Sequence, residues 1–593
     1  MRLPNLLATP KGRLAAFFLL YVTEGIPLGF AATAVATQLR RLDVGPAEIG
    51  AFVASFYLPW AFKWAFGPVI DVFGSQRFGR RRVWILGTQI LMVATLLSTV
   101  MLELPGQLGL FTAVLLLHNS FAAMQDVAID ALAVNSLKED ERGLANGLMF
   151  GGAYLGQAIG GAGVLFLAGV TGFQPTFFFV AGAISLVTTL VVWPMDERVT
   201  ASAQPGPVAI VGSKLAHAGR EMKTFAVSTF RSFVGTRGAF NGLWFCLLPP
   251  GAMALGLALQ SSLAVELGMR DDQIANLNLW CALTNAACCV LGGRWSDRYG
   301  RRRTLFVYIA GMSLPIWWLG WELARLGWIM PVSATMANRP EVPAALVTSL
   351  WITSIVYNVF QGLMYGTRAA IMMDVTNPRV AATQFTAYMA MMNLAIAYSA
   401  QWQGIAAEAF GYPRTLLIDG LYGLLCLVFL PFLKARPGNA KWTDEHAAGR
   451  ARGVALGLAL ALLAWVPLSL LRDDIGVAMP IVQTLFTLVF VAAAVFLLAG
   501  APIVAAGASQ VARTLARSGV WLAPLLLAMV LRHHVDAAAA SFGAGFVTLA
   551  NALLLAVPVL AAAVLLGLAR GRWDGLAEPD ANAASEPPAR AAA

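Results

Sequence analysis

Apolar residues fall in long stretches, each about the twenty needed to cross a bilayer as a helix, between Leu14 and Leu568. Charged or Pro/Gly-rich breaks separate them. The first six segments lie near 14–36, 49–72, 83–102, 108–134, 142–168 and 173–193. A polar stretch, 194–237, follows. Six more lie near 238–264, 274–296, 303–325, 344–374, 380–406 and 413–433. After a charged stretch, 434–452, come runs near 453–471, 476–505, 518–532 and 538–569, then an Ala/Pro-rich tail, 570–593, expected to be disordered. The pattern predicts an all-α polytopic membrane protein of about sixteen spans, or fourteen if the short 518–532 run does not cross. Glu24 and Pro27 interrupt the first segment and no convincing cleavage site follows, so it is a membrane helix rather than a signal peptide.

Charge placement orients these spans. With both ends cytoplasmic, 31 Lys and Arg fall in cytoplasmic segments and 8 on the other side, among them Arg40 and Arg41; Lys63 and Arg368 lie inside spans. A bias of that size fixes the expected orientation. It also explains the net charge of +10, which is therefore no nucleic-acid footprint. Composition agrees: 58% of residues are apolar and 12% charged, about half the charge fraction of soluble domains. A soluble enzyme, a secreted disulfide scaffold and a transcription factor are excluded. The cysteines, Cys246, Cys281, Cys288, Cys289 and Cys426, all sit in apolar runs without metal-like spacing, so neither a metal site nor a cofactor is expected. His533 and His534 are adjacent, would point apart on a helix, and are expected as surface residues.

Residues 1–193 and 238–433 look like two copies of one six-helix unit joined by the linker 194–237. The loop after the second helix of the second copy reads Gly293-Arg294-Trp295-Ser296-Asp297-Arg298-Tyr299-Gly300-Arg301-Arg302-Arg303. The first copy has Gly67 and Asp71, then an insertion, then Gly79-Arg80-Arg81-Arg82. An arginine run after a membrane helix can be a plain positive-inside anchor. Its recurrence with Gly and Asp at equivalent places favours a gating loop, in which the glycine allows close helix approach, the aspartate caps a neighbouring helix and the arginines reach carbonyls or carboxylates.

This GxxxDRxGRR pattern resembles the loop signature of the major facilitator superfamily. No Walker A sequence occurs, so ATP-driven pumping is not expected. Glu24-Gly25-Ile26-Pro27, Leu58-Pro59-Trp60-Ala61-Phe62-Lys63-Trp64, Gly79-Arg80-Arg81-Arg82-Val83-Trp84, Gln125-Asp126 with Asp130, and Glu141-Arg142-Gly143 together resemble the AmpG family of muropeptide permeases. The resemblance covers about residues 10–435. It implies two six-helix bundles and proton-linked import of an anhydromuropeptide across the bacterial inner membrane, with 453–569 as additional helices.

A charge at the membrane centre costs roughly 3 kcal/mol, so each one needs a reason. Asp126 and Asp130 lie on one face of the fourth segment, with Asn119 two turns back; Lys63 is deep in the second and Glu24 mid-way along the first. They form either a cluster that binds substrate or takes a proton, or a structural Lys–carboxylate pair tying helices together. Asp126 is the preferred proton or substrate site, while Asp130 can pair with loop arginines. In the second copy Asn358, Gln361, Tyr365 and Arg368 form one helical stripe. Arg368 suits an anionic substrate group, or pairs with an acid of the other half such as Asp126. Asn393 adds an amide suited to sugars and peptides, with Thr386, Gln401, Asn146 and Gln157 alongside. The glycines between Gly147 and Gly161 are expected to let helices pack closely, and Trp317, Trp318, Trp321 and Trp328 to anchor at the interface.

The expected protein is a secondary carrier working by rocking of its two halves, with a small-molecule solute, protons and membrane lipids as partners and a monomer favoured. A siderophore, an acyl-CoA-like compound or a drug are other cargoes for the same fold. A membrane enzyme or a transporter-derived sensor are the alternatives of another class.

Overall fold

The computed structural model describes residues 4–73, 78–137, 142–197, 214–333, 336, 339–377, 381–434, 443–501, 503–504, 510–529, 544–573 and 576. The regular elements among them are helices. Ten are long and apolar enough to cross a membrane, and Arg82–Ser98 and Leu555–Ala569 are shorter apolar helices. The chain is a multi-pass membrane protein. Residues 1–3 and 577–593, His533 and His534, and the side chains of Asp71 and Asn146 lie outside what is described.

The helices of the first repeat are α1 (Pro10–Arg41), α2 (Pro46–Ala61), α3 (Arg82–Ser98), α4 (Leu108–Ser136), α5 (Arg142–Ala158) and α6 (Pro175–Val187). Helix α5 runs on through a π turn, Ile159–Gly163, into Val164–Thr171. The second repeat comprises α7 (Arg237–Leu247), α8 (Ala258–Glu266), α9 (Asp271–Tyr299), α10 (Arg301–Arg325), α11 (Ala344–Val375), α12 (Ala381–Phe410) and α13 (Tyr412–Leu424). Helices α14 (Ala447–Leu470), α15 (Met479–Gly500), α16 (Gln510–Ala528) and α17 (Ala544–Ala569) follow.

Two spans expected as single helices are interrupted. The 49–72 segment ends its α-helix at Ala61, passes through a 3-10 turn at Lys63–Ala65 and resumes at Phe66–Val72. Pro59 and Pro68 lack the N–H that would continue the ladder. The 238–264 segment stops at Leu247, just before Pro249-Pro250-Gly251, and resumes at Ala258. Gly251 has φ +91°, which a side chain would strain, and its N–H donates to Gly423 O at 3.1 Å. Asp419 on α13 accepts the Met253 and Ala254 N–H groups at 2.8 and 2.9 Å and the Gln403 amide at 2.6 Å. A broken helix survives in lipid only where protein groups re-satisfy its backbone, and Asp419 does that here.

The described chain falls into two compact units. The first comprises Met1–Met222, Leu243–Asp374 and Phe385–Leu433, which is most of the two expected repeats. Within it α1 and α5 pack backbone to backbone. A Cβ added at Gly25 or Gly29 would meet Ala153 or Gln157, and one at Gly152, Gly156 or Gly160 would meet Phe18, Val22 or Ile26. This is the close packing expected of the helix-5 glycines. The tryptophans divide: Trp318 and Trp321 are exposed as anchors should be, Trp317 donates to Leu417 O at 3.3 Å, and Trp328 is buried instead.

The second unit comprises Lys223–Gly242, Val375–Gln384 and Lys434–Ala593. Its core is built on an alanine row of α14 (Ala451, Ala455, Ala459) with Leu462, Trp465, Phe490, Leu497 and Leu565. The linker residues 223–235 are helical and belong here: Phe230 packs on Phe496 and Trp573, and Arg450 donates to the Val234 and Gly235 carbonyls at 2.7 and 2.8 Å.

Candidate functional site

In the first repeat the buried charges gather at one place. Lys63 stands where α2 has unwound, and its Nζ reaches Asp126 Oδ2 on α4 at 2.8 Å, with the Trp60 ring 5.9 Å away. One turn along α4, Asp130 Oδ1 accepts the Tyr21 hydroxyl of α1 at 2.6 Å. Asp130 therefore has a buried tyrosine for a partner, where a loop arginine had been a candidate. Glu24, on α1, lies within electrostatic reach of Asp126, Lys63 and Asp130. One ammonium thus faces three carboxylates, and a buried oxygen of Glu24 has no hydrogen-bond partner among the described residues. Asn119 donates to the Phe56 carbonyl and serves the packing of α4 on α2. Beside the cluster, Gln89 and Gln125 both donate to the Thr23 hydroxyl at 3.2 Å.

The second repeat brings amides together. Asn285 on α9 donates to Asn358 Oδ1 at 3.3 Å and to Gln361 Oε1 at 2.8 Å, and Gln361 donates to the Tyr357 hydroxyl at 3.0 Å. Asn285 and Tyr357 complete a cluster of which sequence reasoning named only Asn358 and Gln361. Tyr365 is half-buried and lies within electrostatic reach of Tyr57 on α2 and Tyr154 on α5. The stripe on α11 therefore comes near the first repeat at these tyrosines. Arg368 does not pair with Asp126, which Lys63 already holds; its guanidinium lies 5.8 Å from the Phe245 ring. Asn393 is half-buried on α12.

The arginine loops hold helix ends. In the second copy Arg301 donates from Nε and Nη2 to Asp297 Oδ1 at 3.2 and 3.1 Å, and from Nη1 to Asp374 Oδ1 of α11 at 2.8 Å. Arg302 donates to Pro431 O at 3.1 Å, Arg298 lies over the Tyr299 ring, and Gly300 has φ +92°. The arginines reach a carboxylate and a carbonyl, as expected, whereas Asp297 pairs with Arg301 rather than capping a helix. A Cβ added at Gly293 of α9 would stand 3.9 Å from the Gly366 carbonyl of α11, an ordinary contact. In the first copy a Cβ added at Gly67 would meet no described atom within 4 Å, Arg81 is buried and Arg80 is partnered. The backbone N–H groups of Arg81 and Arg82 donate to Oε1 of Glu197, a residue the loop motif does not contain. Replacing both Arg301 and Arg302 with Glu should cut transport several-fold while surface expression holds. Unchanged rates would remove the loop from the cycle.

On the opposite face the two repeats are joined by ion pairs. Arg40, at the end of α1, donates to Glu266 Oε1 from Nε at 3.0 Å and lies 2.7 Å from it through Nη2. Glu266 also accepts the Tyr412 hydroxyl and the Val332 N–H, the latter at 3.1 Å. Arg40 further donates to Val44 O and Val332 O, at 3.0 and 2.6 Å. Arg41 pairs with Asp271, at the first turn of α9, at 2.7 Å, and Glu408 accepts the Ala47 N–H at 2.9 Å. Arg40 and Glu266 are almost fully buried. Burial pushes the Glu266 carboxyl up from its ordinary range, against the opposing pull of Arg40, Tyr412 and the Val332 N–H. The sequence shows these residues only as loop charges, because nothing local tells that Arg40 and Glu266, 226 positions apart, will meet.

The family profile of the Major Facilitator Superfamily matches residues 14–251. An anhydromuropeptide permease of Escherichia coli (strain K12) is 24% identical over 414 residues, covering 69% of this chain and 77% of that protein. An inward-open structure of a xylose transporter from E. coli superposes with a TM-score of 0.52 at 13% identity, over 72% of this chain and 98% of that one. A POT family transporter in complex with a thioalcohol-conjugated peptide gives 0.52 at 10% identity, over 71% and 96%.

Proposed function

We propose that this major facilitator superfamily transporter, not an enzyme, imports a muropeptide-like solute across a bacterial inner membrane on a proton gradient. The observation that carries the proton coupling is the one-to-three ratio of ammonium to carboxylate around Lys63. A buried Lys–Asp pair alone would be a structural tie. Two further acids within reach leave the cluster in excess of negative charge, and a group that gains and loses a proton relieves that excess. Asp126 carries the proton in this reading, with Glu24 and Asp130 adjusting its environment.

Cargo recognition falls to the second repeat. Asn358, Gln361, Tyr365 and Asn393 supply donors and acceptors for sugar hydroxyls and peptide groups. The similarity to a named anhydromuropeptide permease supports that cargo class. The interrupted segments also cross in this reading, giving about sixteen spans with both termini cytoplasmic. The arginine loops then face the cytoplasm and the Arg40–Glu266 pair faces outward, so the structure is closed to the outside. Expression of the chain in a strain lacking its own muropeptide permease should restore uptake of labelled anhydromuropeptide, and collapsing the proton gradient should stop it. Uptake of an unrelated solute class with none of the muropeptide would overturn the cargo assignment.

A further inference from the structure

Arg368 is the buried cation the preceding account leaves without work. It is 2% exposed, and neither its Nε nor its Nη2 has a hydrogen-bond partner among the described residues. Those two nitrogens form one edge of the guanidinium. The same edge grips a carboxylate elsewhere in this protein, where Arg270 holds Asp272 with Nε at 3.0 Å and Nη2 at 2.9 Å. No ion pair links Arg368 to any described acid. The nearest acid in sequence, Asp374, is taken by Arg301, and Asp419 is taken by the broken backbone at Met253 and Ala254. Its neighbours are uncharged: the Phe245 ring, the thiols of Cys246 and Cys426, and the hydroxyls of Tyr365 and Tyr398.

A guanidinium cannot shed its charge, and burying one unpaired is among the most expensive arrangements available in a membrane protein. Such a fork persists where an anion completes it during function. Tyr365, one turn away on α11, lies within electrostatic reach of Arg368 and of Tyr57 and Tyr154 of the first repeat. We infer that the Nε/Nη2 edge of Arg368 receives a carboxylate of the transported solute and is the residue that selects acidic over neutral cargo. The inference rests on the transport reading above and adds the chemical group that the carrier recognises.

The test is direct binding to the purified full chain by four probes: an anhydromuropeptide, its analogue with every carboxylate amidated, chloride and inorganic phosphate. Wild type should prefer the acid over its amide by roughly ten- to hundredfold, the range for a charge-assisted hydrogen-bonded pair. Arg368→Gln should erase that preference, and Arg368→Lys, which keeps the charge but not the fork, should retain only part of it. If Arg368→Gln does not fold, the Arg368→Lys comparison decides alone. An equal preference in wild type and variant overturns the Arg368 assignment and leaves the transport reading standing. Stabilisation by chloride or phosphate that depends on Arg368, with no acid-over-amide preference, overturns it in favour of a structural counter-ion. Failure of muropeptide to bind, with an Arg368-dependent preference among other acidic solutes, upholds the fork and defeats the cargo class.

Discussion

Glu266→Gln should release the end of the molecule where Arg40 and Glu266 meet, the outward-facing end in the proposed carrier. The change leaves Arg40 buried without its carboxylate, and breaking one side of a buried ion pair costs about 3–5 kcal/mol. In the transport reading, opening parts that pair, so the cost falls on closure. A difference of about 3 kcal/mol changes the ratio of closed to open molecules by roughly a hundredfold. Val44, beside the pair, is 4% exposed in the closed state. In a background without the native cysteines, Val44→Cys should react slowly with an impermeant maleimide, and at least tenfold faster once Glu266→Gln is added. Protection that survives the change would show that Arg40 and Glu266 do not control access.

Single changes at Lys63 and Asp126 should differ sharply although the two residues are partners. Lys63→Met leaves Glu24, Asp126 and Asp130 facing each other with no cation, and should cost about 3–5 kcal/mol and most of the folded protein. Asp126→Asn leaves Lys63 with Glu24 and Asp130 still within reach, so the protein should fold with a far smaller loss. Its defect should be functional: accumulation against a gradient abolished, with exchange at equal concentrations partly retained. A purely structural pair predicts the reverse pattern, with both single changes losing folded protein and the double change Lys63→Met/Asp126→Asn restoring it. Expression level, melting temperature, accumulation and exchange for the three variants separate the accounts.

The reach of the sequence differs from one feature to the next, for physical reasons. Spans are legible because lipid imposes length and apolarity on every one of them. The buried charges Glu24, Lys63, Asp126 and Arg368 stand out because each is costly where it lies. The interruption of the 238–264 segment was signalled by Pro249-Pro250-Gly251, whose missing N–H groups cannot continue a helix. Asp419 passes unremarked in the 413–433 run, because its task, capping that broken backbone, depends on a contact between residues 166 positions apart. The Arg40–Glu266 pair and the capping of Arg81 by Glu197 are hidden for the same reason. Arg450 shows the converse: read as part of a charged linker, it holds the end of the helical linker segment through two carbonyls.

Proton coupling at Asp126 is the central claim, and recording solute and proton uptake together in proteoliposomes tests it most directly. Wild type should acidify the interior as labelled anhydromuropeptide enters, in fixed proportion across solute concentrations. Asp126→Asn should exchange labelled for unlabelled solute with no proton signal. Proton uptake by Asp126→Asn in the wild-type proportion would contradict the account.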